Sequence, residues 1–411
     1  MERNFDVTTN ITYDHIFLKK EINNVVKSIN LEESLQEIEI HESILSKLLL
    51  GHIIFKDIDR KFQQFLLTGD ETIEISLISS QKFRFLIELS ITSVEYIFDE
   101  NIPEQLVKLT LKSPQYKLFT QEYSFAIRKP TLISTAVKTF ANDNLNIALP
   151  LSNIESTVYS DTVPNHIVIP YLKPHYIFEY LNKYCNNKNH YLWLFFATLF
   201  DFNYKSLSYL YEGSVIDEYE EVNKSKSTYH PNYFSDWSFI NPIDFETIML
   251  SRGFGSTGYY FDVENKEIIS KETTYDTIIS NTKGLGVYAP FTKNMVLKDN
   301  YSSVNTLHTS IAYNNFQPEV YVLLKELEDG INININLTGI LGRRCGQIVF
   351  LKFISYFIPE NNFNTELTGN YLITGITHKF YPGKYYQSLL LHKTGIFNKY
   401  ADSIKFNTIN K

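Results

Sequence analysis

The sequence predicts a β-dominated α+β fold in which two strand-rich blocks bracket a mixed middle. Three observations carry this expectation. A two-residue alternation of apolar and polar side chains runs through residues 35–43 and again through 330–337. A hairpin pattern occupies 369–393, and stretches with helical spacing fall between the blocks.

Residues 1–34 show no firm period apart from a short helical spacing over 21–29, and read as an N-terminal arm. From Leu35 the pattern changes: Ile38 and Ile40 alternate with Glu37, Glu39 and His41, as in a half-buried strand. Residues 52–56 read as a second strand, 71–77 as a third, 82–94 as a further ribbon, and 106–111 as the strand that closes the block with its acids facing outward. In the middle, Leu132, Ala136, Val137 and Phe140 lie at helical spacing within 130–142, and 165–171 is extended. Ile177, Leu181 and Tyr184 make 174–185 an amphipathic helix. Residues 191–202 are apolar enough for a buried strand or ribbon, with 203–210 turning into a short helix.

The charged stretch 213–235 reads as an exposed loop or strand edge, 240–250 as a helix, and 259–269 as strand, turn and strand. Turns and one more helix continue to about 305. Strands return at 319–325, at 330–337 and at 346–353 before the hairpin. There Pro382 presets φ and Gly383 supplies the positive φ of a tight reversal. One face of this ribbon is the more apolar, so it can be half buried and half wet: setting Phe380 opposite Tyr385 places His378 against Gln387, Ile376 against Leu389 and Thr374 against Leu391 on one face. The other face carries Lys379 with Tyr386, Thr377 with Ser388, Gly375 with Leu390 and Ile373 with His392.

Composition narrows the function classes. With 411 residues, 44% of them apolar, the chain has the material for two to four globular domains. The 29 Tyr and 30 Phe accompany abundant Ile and Asn and few Ala, the bias of an AT-rich coding sequence, so the aromatic excess is no binding signal. A net charge of -8 and the lack of any Lys/Arg block argue against a dedicated nucleic-acid binder. Arg343-Arg344 is the richest basic group and reads as solvated surface. Cys185 and Cys345 stand 160 positions apart, so no disulfide framework or C-x-x-C metal site can be drawn, and a reducing cytoplasm is expected. The start does not have the charge pattern of a secretory signal. The most apolar run, 191–200, is about half the length of a bilayer span, so a soluble chain is expected.

The motifs carry no chemistry that outweighs a structural reading. Gly253, Gly255 and Gly258 have the spacing of a dinucleotide fingerprint, but the order around them is helix then strand, which makes them turn glycines. His41, His52, His378 and His392 fall in predicted strands, none beside another His or a carboxylate at local metal-ligand spacing, and read as hydrogen-bonded strand residues. Glu37, Glu39, Glu42, Asp70, Glu71 and Glu74 could supply paired carboxylates for glycoside hydrolysis, although alternating acids on a strand usually make a solvated face. Ser43 and Ser206 lack a nucleophile elbow. No catalytic, cofactor-binding or metal-binding residue is assigned, and no cofactor is expected.

In order and spacing, three groups of landmarks resemble one family. They are Ile38-x-Ile40-x-Glu42-Ser43, Gly51-x-Ile53-Ile54-Phe55-x-Asp57 and Gly69-x-Glu71-x-Ile73-x-Ile75 in the first block; Ile169-Pro170-Tyr171-Leu172-x-Pro174, Phe202 to Leu207 and Phe261-Asp262-Val263-x-x-Lys266 in the middle; and Gly346-Gln347-Ile348-Val349-Phe350 with Gly369-x-Tyr371-Leu372-Ile373-x-x-Ile376-x-His378 at the end. Together, over 35–393, they resemble the baseplate central hub protein of contractile-tailed bacteriophages, a family similar to the base of type VI secretion spikes.

The resemblance implies two similar tube-type β-barrel domains bracketing an α+β insertion region. After the arm at 1–34, the first tube domain takes 35–111, the insertion 112–199 with 240–305, the second tube domain 200–239 with 306–395, and a C-terminal tail 396–411. It further implies a homotrimer whose six barrels form a pseudo-sixfold ring between a sixfold tail tube and a threefold spike. DNA would pass through the lumen without specific binding during genome ejection. The implied partners are the tail tube protein, a separate spike protein, the tape measure protein and surrounding baseplate proteins. The implied location is the virion tail tip, assembled in the host cytoplasm. The short run after the last strand leaves the spike to a separate polypeptide. The leading expectation is a non-enzymatic hub. Its rivals are a β-rich carbohydrate-binding adhesin, and a cell-wall hydrolase acting through Glu42 and Glu71.

Overall fold

Alternation of buried and exposed side chains builds most of the described strands into one sheet. The computed structural model describes residues 12–22, 25–60, 62, 65, 67–78, 84–97, 105–127, 131–157, 167–182, 184–185, 190–222, 232–240, 255–262, 267–274, 317–354, 364, 367–382 and 384–393. The first block holds β1 (Thr12–Ile22), β2 (Val25–Asn30), β3 (Leu35–Ser43), β4 (Leu50–Lys56), β5 (Thr72–Ile78), β6 (Arg84–Ile97) and β7 (Leu106–Lys112). The middle holds α1 (Tyr116–Thr120), β8 (Tyr123–Ile127), α2 (Ile133–Leu145), β9 (Ile167–Leu172), α3 (Pro174–Asn182), β10 (Trp193–Ala197), β11 (Phe202–Ser206) and α4 (Leu207–Tyr211). Then follow β12 (Val215–Glu221), β13 (Tyr233–Phe234), β14 (Trp237–Phe239), β15 (Gly255–Asp262), β16 (Glu267–Thr274), α5 (Gln317–Asp329), β17 (Ile331–Thr338), β18 (Ile348–Lys352), β19 (Gly369–Tyr381) and β20 (Lys384–Lys393). The expected β-dominated α+β class is the one observed.

Fourteen strands share the main sheet, seven from each block, and the two sevens repeat one order. The first runs β2-β1-β5-β6-β7-β4-β3 and the second β13-β12-β18-β19-β20-β17-β14. Numbered by chain position within each block, both read 2-1-5-6-7-4-3. The registers agree in detail. Ile91 opposes Leu111, Thr92 bulges out, and Ser93 opposes Thr110; Ile373 opposes Leu391, Thr374 bulges out, and Gly375 opposes Leu390. Each bulged threonine donates its hydroxyl to the facing carbonyl, Thr92 to Thr110 and Thr374 to Leu390, both at 3.2 Å. The blocks differ at one edge: β1 runs antiparallel to β5 and β2, whereas β12 runs parallel to β18 and β13.

Among the described residues, neither seven closes into a barrel by hydrogen bonds. Each nonetheless curls around a core. Ile16 and Leu18 of β1 share one apolar cluster with Ile38 and Ile40 of β3, Ile73 of β5 and Leu109 of β7. The second core gathers Tyr219, Ile333, Leu351, Ile373 and Leu391 under α5. A third core, with Phe140, Phe178 and Tyr204, joins α2 and α3 to the small sheets β8-β9 and β10-β11. Cys185 and Cys345 are buried and free in different cores.

Several expectations are corrected. The helical spacing over 21–29 gives way to β2, drawn into a hairpin with β1, so much of the supposed arm belongs to the sheet. Residues 319–325 are helix and not strand. Val320, Leu323, Leu324 and Leu327 form an i, i+3, i+4, i+7 stripe onto the second core, and Glu319 sits in the first turn. Residues 203–206 are strand before α4 begins. Part of the charged stretch 213–235 is β12, an internal strand between β13 and β18. The final hairpin keeps its expected register from Phe380 back to Gly375. The bulge at Thr374 then sets Ile373 against Leu391 and Leu372 against His392. Residues 241–254, 275–316 and 394–411, and with them the helix read over 240–250 and the C-terminal tail, lie outside the described residues.

Glu71, just before β5, shows how the first block uses a buried acid. Its carboxylate accepts from the Thr68 N–H at 2.7 Å, the Thr68 hydroxyl at 2.9 Å and the Gly69 N–H at 2.8 Å, with the Lys20 ammonium 3.2 Å away. Burial alone would raise its pKa, but these donors hold it down at about 2, against an ordinary 4.5. A folded-state pKa below the unfolded one contributes stability that is complete above about pH 4.5 and is lost as pH falls toward 2. Wild-type unfolding free energy should therefore fall by up to about 3 kcal/mol across that window. In Glu71→Gln that acid limb should be flatter, as read by urea unfolding at stepped pH.

Candidate functional site

The two blocks meet where β3 pairs antiparallel with the far half of β19, from Gly375 opposite Ser43 to Phe380 opposite Ile38. Alternation turns Glu42 inward at this seam, and the residue is 2% exposed. Its Oε1 accepts from the Leu199 N–H at 2.5 Å and lies 3.2 Å from His378 Nε2; its Oε2 accepts from the Cys345 N–H at 3.2 Å. One side chain thereby joins β3, the β10-β11 turn, the loop before β18, and β19.

A chain of buried polar groups continues from there. With Nε2 donating to Glu42, His378 Nδ1 accepts from the Tyr385 hydroxyl at 2.8 Å, and that hydroxyl accepts from Gln387 Nε2 at 2.9 Å. Gln387 Oε1 accepts from Arg343 Nη1 at 2.8 Å and from the Ile340 N–H at 3.0 Å. Arg343 also donates from Nε to the Tyr219 hydroxyl at 2.7 Å, which donates to Asp217 at 2.8 Å. Arg343 is thus buried, 1% exposed, and not the solvated residue expected of the Arg343-Arg344 pair. Arg344 beside it is half-buried and pairs with Asp201 at 2.5 Å. Tyr385 lies flat on Phe380, ring centroids 4.5 Å apart, and Gly339 packs on its ring.

The candidate residues from the sequence fall into place as structural groups. His378 and His392 are buried and hydrogen-bonded as expected, His392 to Glu326 at 3.0 Å and to Asn332 at 3.1 Å. Glu42 and Glu71 are sealed under protein and occupied with backbone amides, so neither can reach a polymer. Glu37 accepts from the Tyr381 hydroxyl at 2.9 Å, Glu74 lies 2.5 Å from Lys19, and Asp70 pairs with Lys117. Ser206 caps α4 through the Tyr209 N–H at 3.1 Å, and the Ser43 hydroxyl accepts from the Leu45 N–H at 3.2 Å. Gly255 and Gly258 lie within β15, and the next described element is the strand β16 rather than a phosphate-binding helix; Gly253 lies outside the described residues.

One grouping was invisible to local spacing. Cross-strand pairing brings Glu39, His41 and His52 onto the wet face of β3-β4, with one ligand atom from each within 4.8 Å of the others. These three could hold a metal ion. However, the Lys379 ammonium, 2.6 Å from Glu39, already neutralises that carboxylate and opposes a second cation. Burial disfavours the ionised Glu39, yet the bond to Lys379 keeps its pKa below the ordinary carboxylate value. Elsewhere, a cavity of about 390 Å³ between α3, β10 and α5 is walled by Phe178, Trp193, Leu194 and Leu324, with Lys47 and His190 at its polar side. Among the described residues, no helix is long and apolar enough to cross a membrane.

The seam sets two expectations. Glu42→Ala leaves two amides and an imidazole buried without their acceptor and should cost about 3–5 kcal/mol, Glu42→Gln clearly less, in urea unfolding. A Cβ on residue 339 would lie 2.0 Å from Tyr385 Cδ1. Gly339→Ala should therefore cost about 1–3 kcal/mol in the same assay, by forcing the Tyr385 ring off Phe380.

No family model matches the chain, and no curated protein matches it by sequence. Solved structures do match. The 43 kDa tail protein of prophage MuSo2 from Shewanella oneidensis is similar at 11% identity, over 92% of this chain and 98% of its own, with a TM-score of 0.52. The tail protein from Neisseria meningitidis MC58 is similar at 12% identity, over 93% of this chain and 98% of its own, with a TM-score of 0.53. Over more than nine-tenths of its length, the chain has the fold of these two tail proteins.

Proposed function

We propose that this chain is a non-enzymatic structural subunit, the hub at the tip of a phage or phage-like tail. It forms a homotrimer whose six like units make a pseudo-sixfold ring. The observation that carries this reading is the repeated strand order 2-1-5-6-7-4-3, with matching bulges at Thr92 and Thr374. A chain holding two like units lets three copies present six, which is what fitting a threefold spike to a sixfold tube requires. The fold shared with two tail proteins supports it.

Each unit is a curled, barrel-like sheet. The first spans 35–111 together with β1 and β2, and the second 200–239 with 306–395. The remainder, 112–199 with 240–305, forms the insertion between them, and 396–411 the tail. The ring contacts the tail tube, a separate spike, the tape measure protein and neighbouring baseplate proteins. DNA passes through its lumen, and the net charge of -8 disfavours adhesion of the phosphate backbone to the wall. The hydrolase reading draws no comparable support, since Glu42 and Glu71 are both sealed.

Sedimentation equilibrium of the full chain at micromolar concentration should return three times the 48.0 kDa chain mass. A monomer across that range would overturn the hub reading.

A further inference from the structure

We infer that β6 of one chain pairs antiparallel with β14 of a second copy, in a register specified by the chain itself. The two blocks correspond residue by residue through their shared registers. Leu109 and Leu389 oppose Val94 and Ile376 respectively, and they also oppose Ile53 and Ile335. Ile53 and Ile335 in turn face Ile38 and Trp237. Strand β14 is therefore the second block's counterpart of β3, and β6 is the first block's counterpart of β19.

Within the chain, β3 and β19 pair, with His41 opposite Thr377, Ile40 opposite His378 and Glu39 opposite Lys379. Transposed by the correspondence, Ile240 of one chain lies opposite Glu95 of the next, Phe239 opposite Tyr96, and Ser238 opposite Ile97. The burial of these residues fits edges that await a partner. Ile40 and His378 are fully buried, whereas Phe239 is 39% exposed, Tyr96 44% and Ile240 48%. Among the described residues, no strand pairs with β14 on the side away from β17. Among the described residues, β6 likewise has no strand partner beyond Ser90 on its β5 side.

The occupant is a second copy because the chain already joins the equivalent edges once within itself. The contact is head-to-tail: each third-ranked strand passes to the sixth-ranked strand of the next unit, and such a contact closes only as a ring. Closure after three chains rests on the hub reading above. The pairing adds an aromatic cross-strand contact between Tyr96 and Phe239.

Cysteine cross-linking of the full chain tests this. The counterpart of Glu95 and Ile240 is Thr377 and His41, whose side chains touch at 3.0 Å. A double variant, Glu95→Cys with Ile240→Cys, places two thiols at disulfide distance across the interface, while native Cys185 and Cys345 stay buried. After sedimentation establishes the trimer, oxidation by copper phenanthroline should yield covalent dimers and trimers on a non-reducing gel. The slipped pair, Glu95→Cys with Phe239→Cys, points its thiols to opposite faces and should cross-link at least about tenfold less. A trimer that fails to cross-link, or that links better in the slipped pair, overturns this inference and leaves the hub reading standing. A monomer overturns the hub reading itself.

Discussion

The pairing of β3 with β19 is the constraint on which the architecture depends. It converts two sheets that could each fold over a private core into one sheet with a fixed angle between its halves. Backbone hydrogen bonds alone would tolerate a slip by one residue, which would throw Ile38 and Ile40 onto the wet face. Glu42 removes that freedom. A carboxylate buried at the seam and holding amides from two other segments has no comparable set of partners in a shifted register.

The polar chain that continues through His378, Tyr385, Gln387 and Arg343 trades stability for uniqueness. An apolar substitute of the same volume could be equally stable, because desolvating a guanidinium and a carboxylate is costly. What the polar version adds is directionality, since each donor accepts few geometries. It specifies how the tip of the β19-β20 hairpin, with Phe380 and Tyr385, enters the first core while its base stays in the second. Such rigidity suits a part whose proposed work is to hold a geometry.

Much of the strand framework was legible in the sequence. Alternation located β3 to its terminal residues, and the Pro382-Gly383 turn set the hairpin register as far as Gly375. What failed did so for physical reasons. The i, i+3, i+4, i+7 stripe of α5 was masked by its β-branched residues, which also suit a strand. The β1-β2 hairpin was missed because its second strand is exposed at every residue but the half-buried Ile29, which leaves no repeating buried face to imprint a period. The seam itself was half visible: the hairpin pairing set His378 opposite Gln387, as observed. Their partners Glu42 and Arg343 are distant in sequence, and no local rule could connect them. The same holds for Glu39, His41 and His52, which meet only through cross-strand register.

The hairpin that bridges both cores has a kinetic corollary. Strand β3 emerges early from the ribosome, but the residues that cover its outer edge lie 332 (Gly375 opposite Ser43) to 342 (Phe380 opposite Ile38) positions downstream. For nearly the whole of synthesis, that edge is an open template with Ile38 and Ile40 behind it. Nascent chains crowded on one message could zip together there before the proper strand arrives, which makes translation speed and holdase availability determinants of yield for this protein.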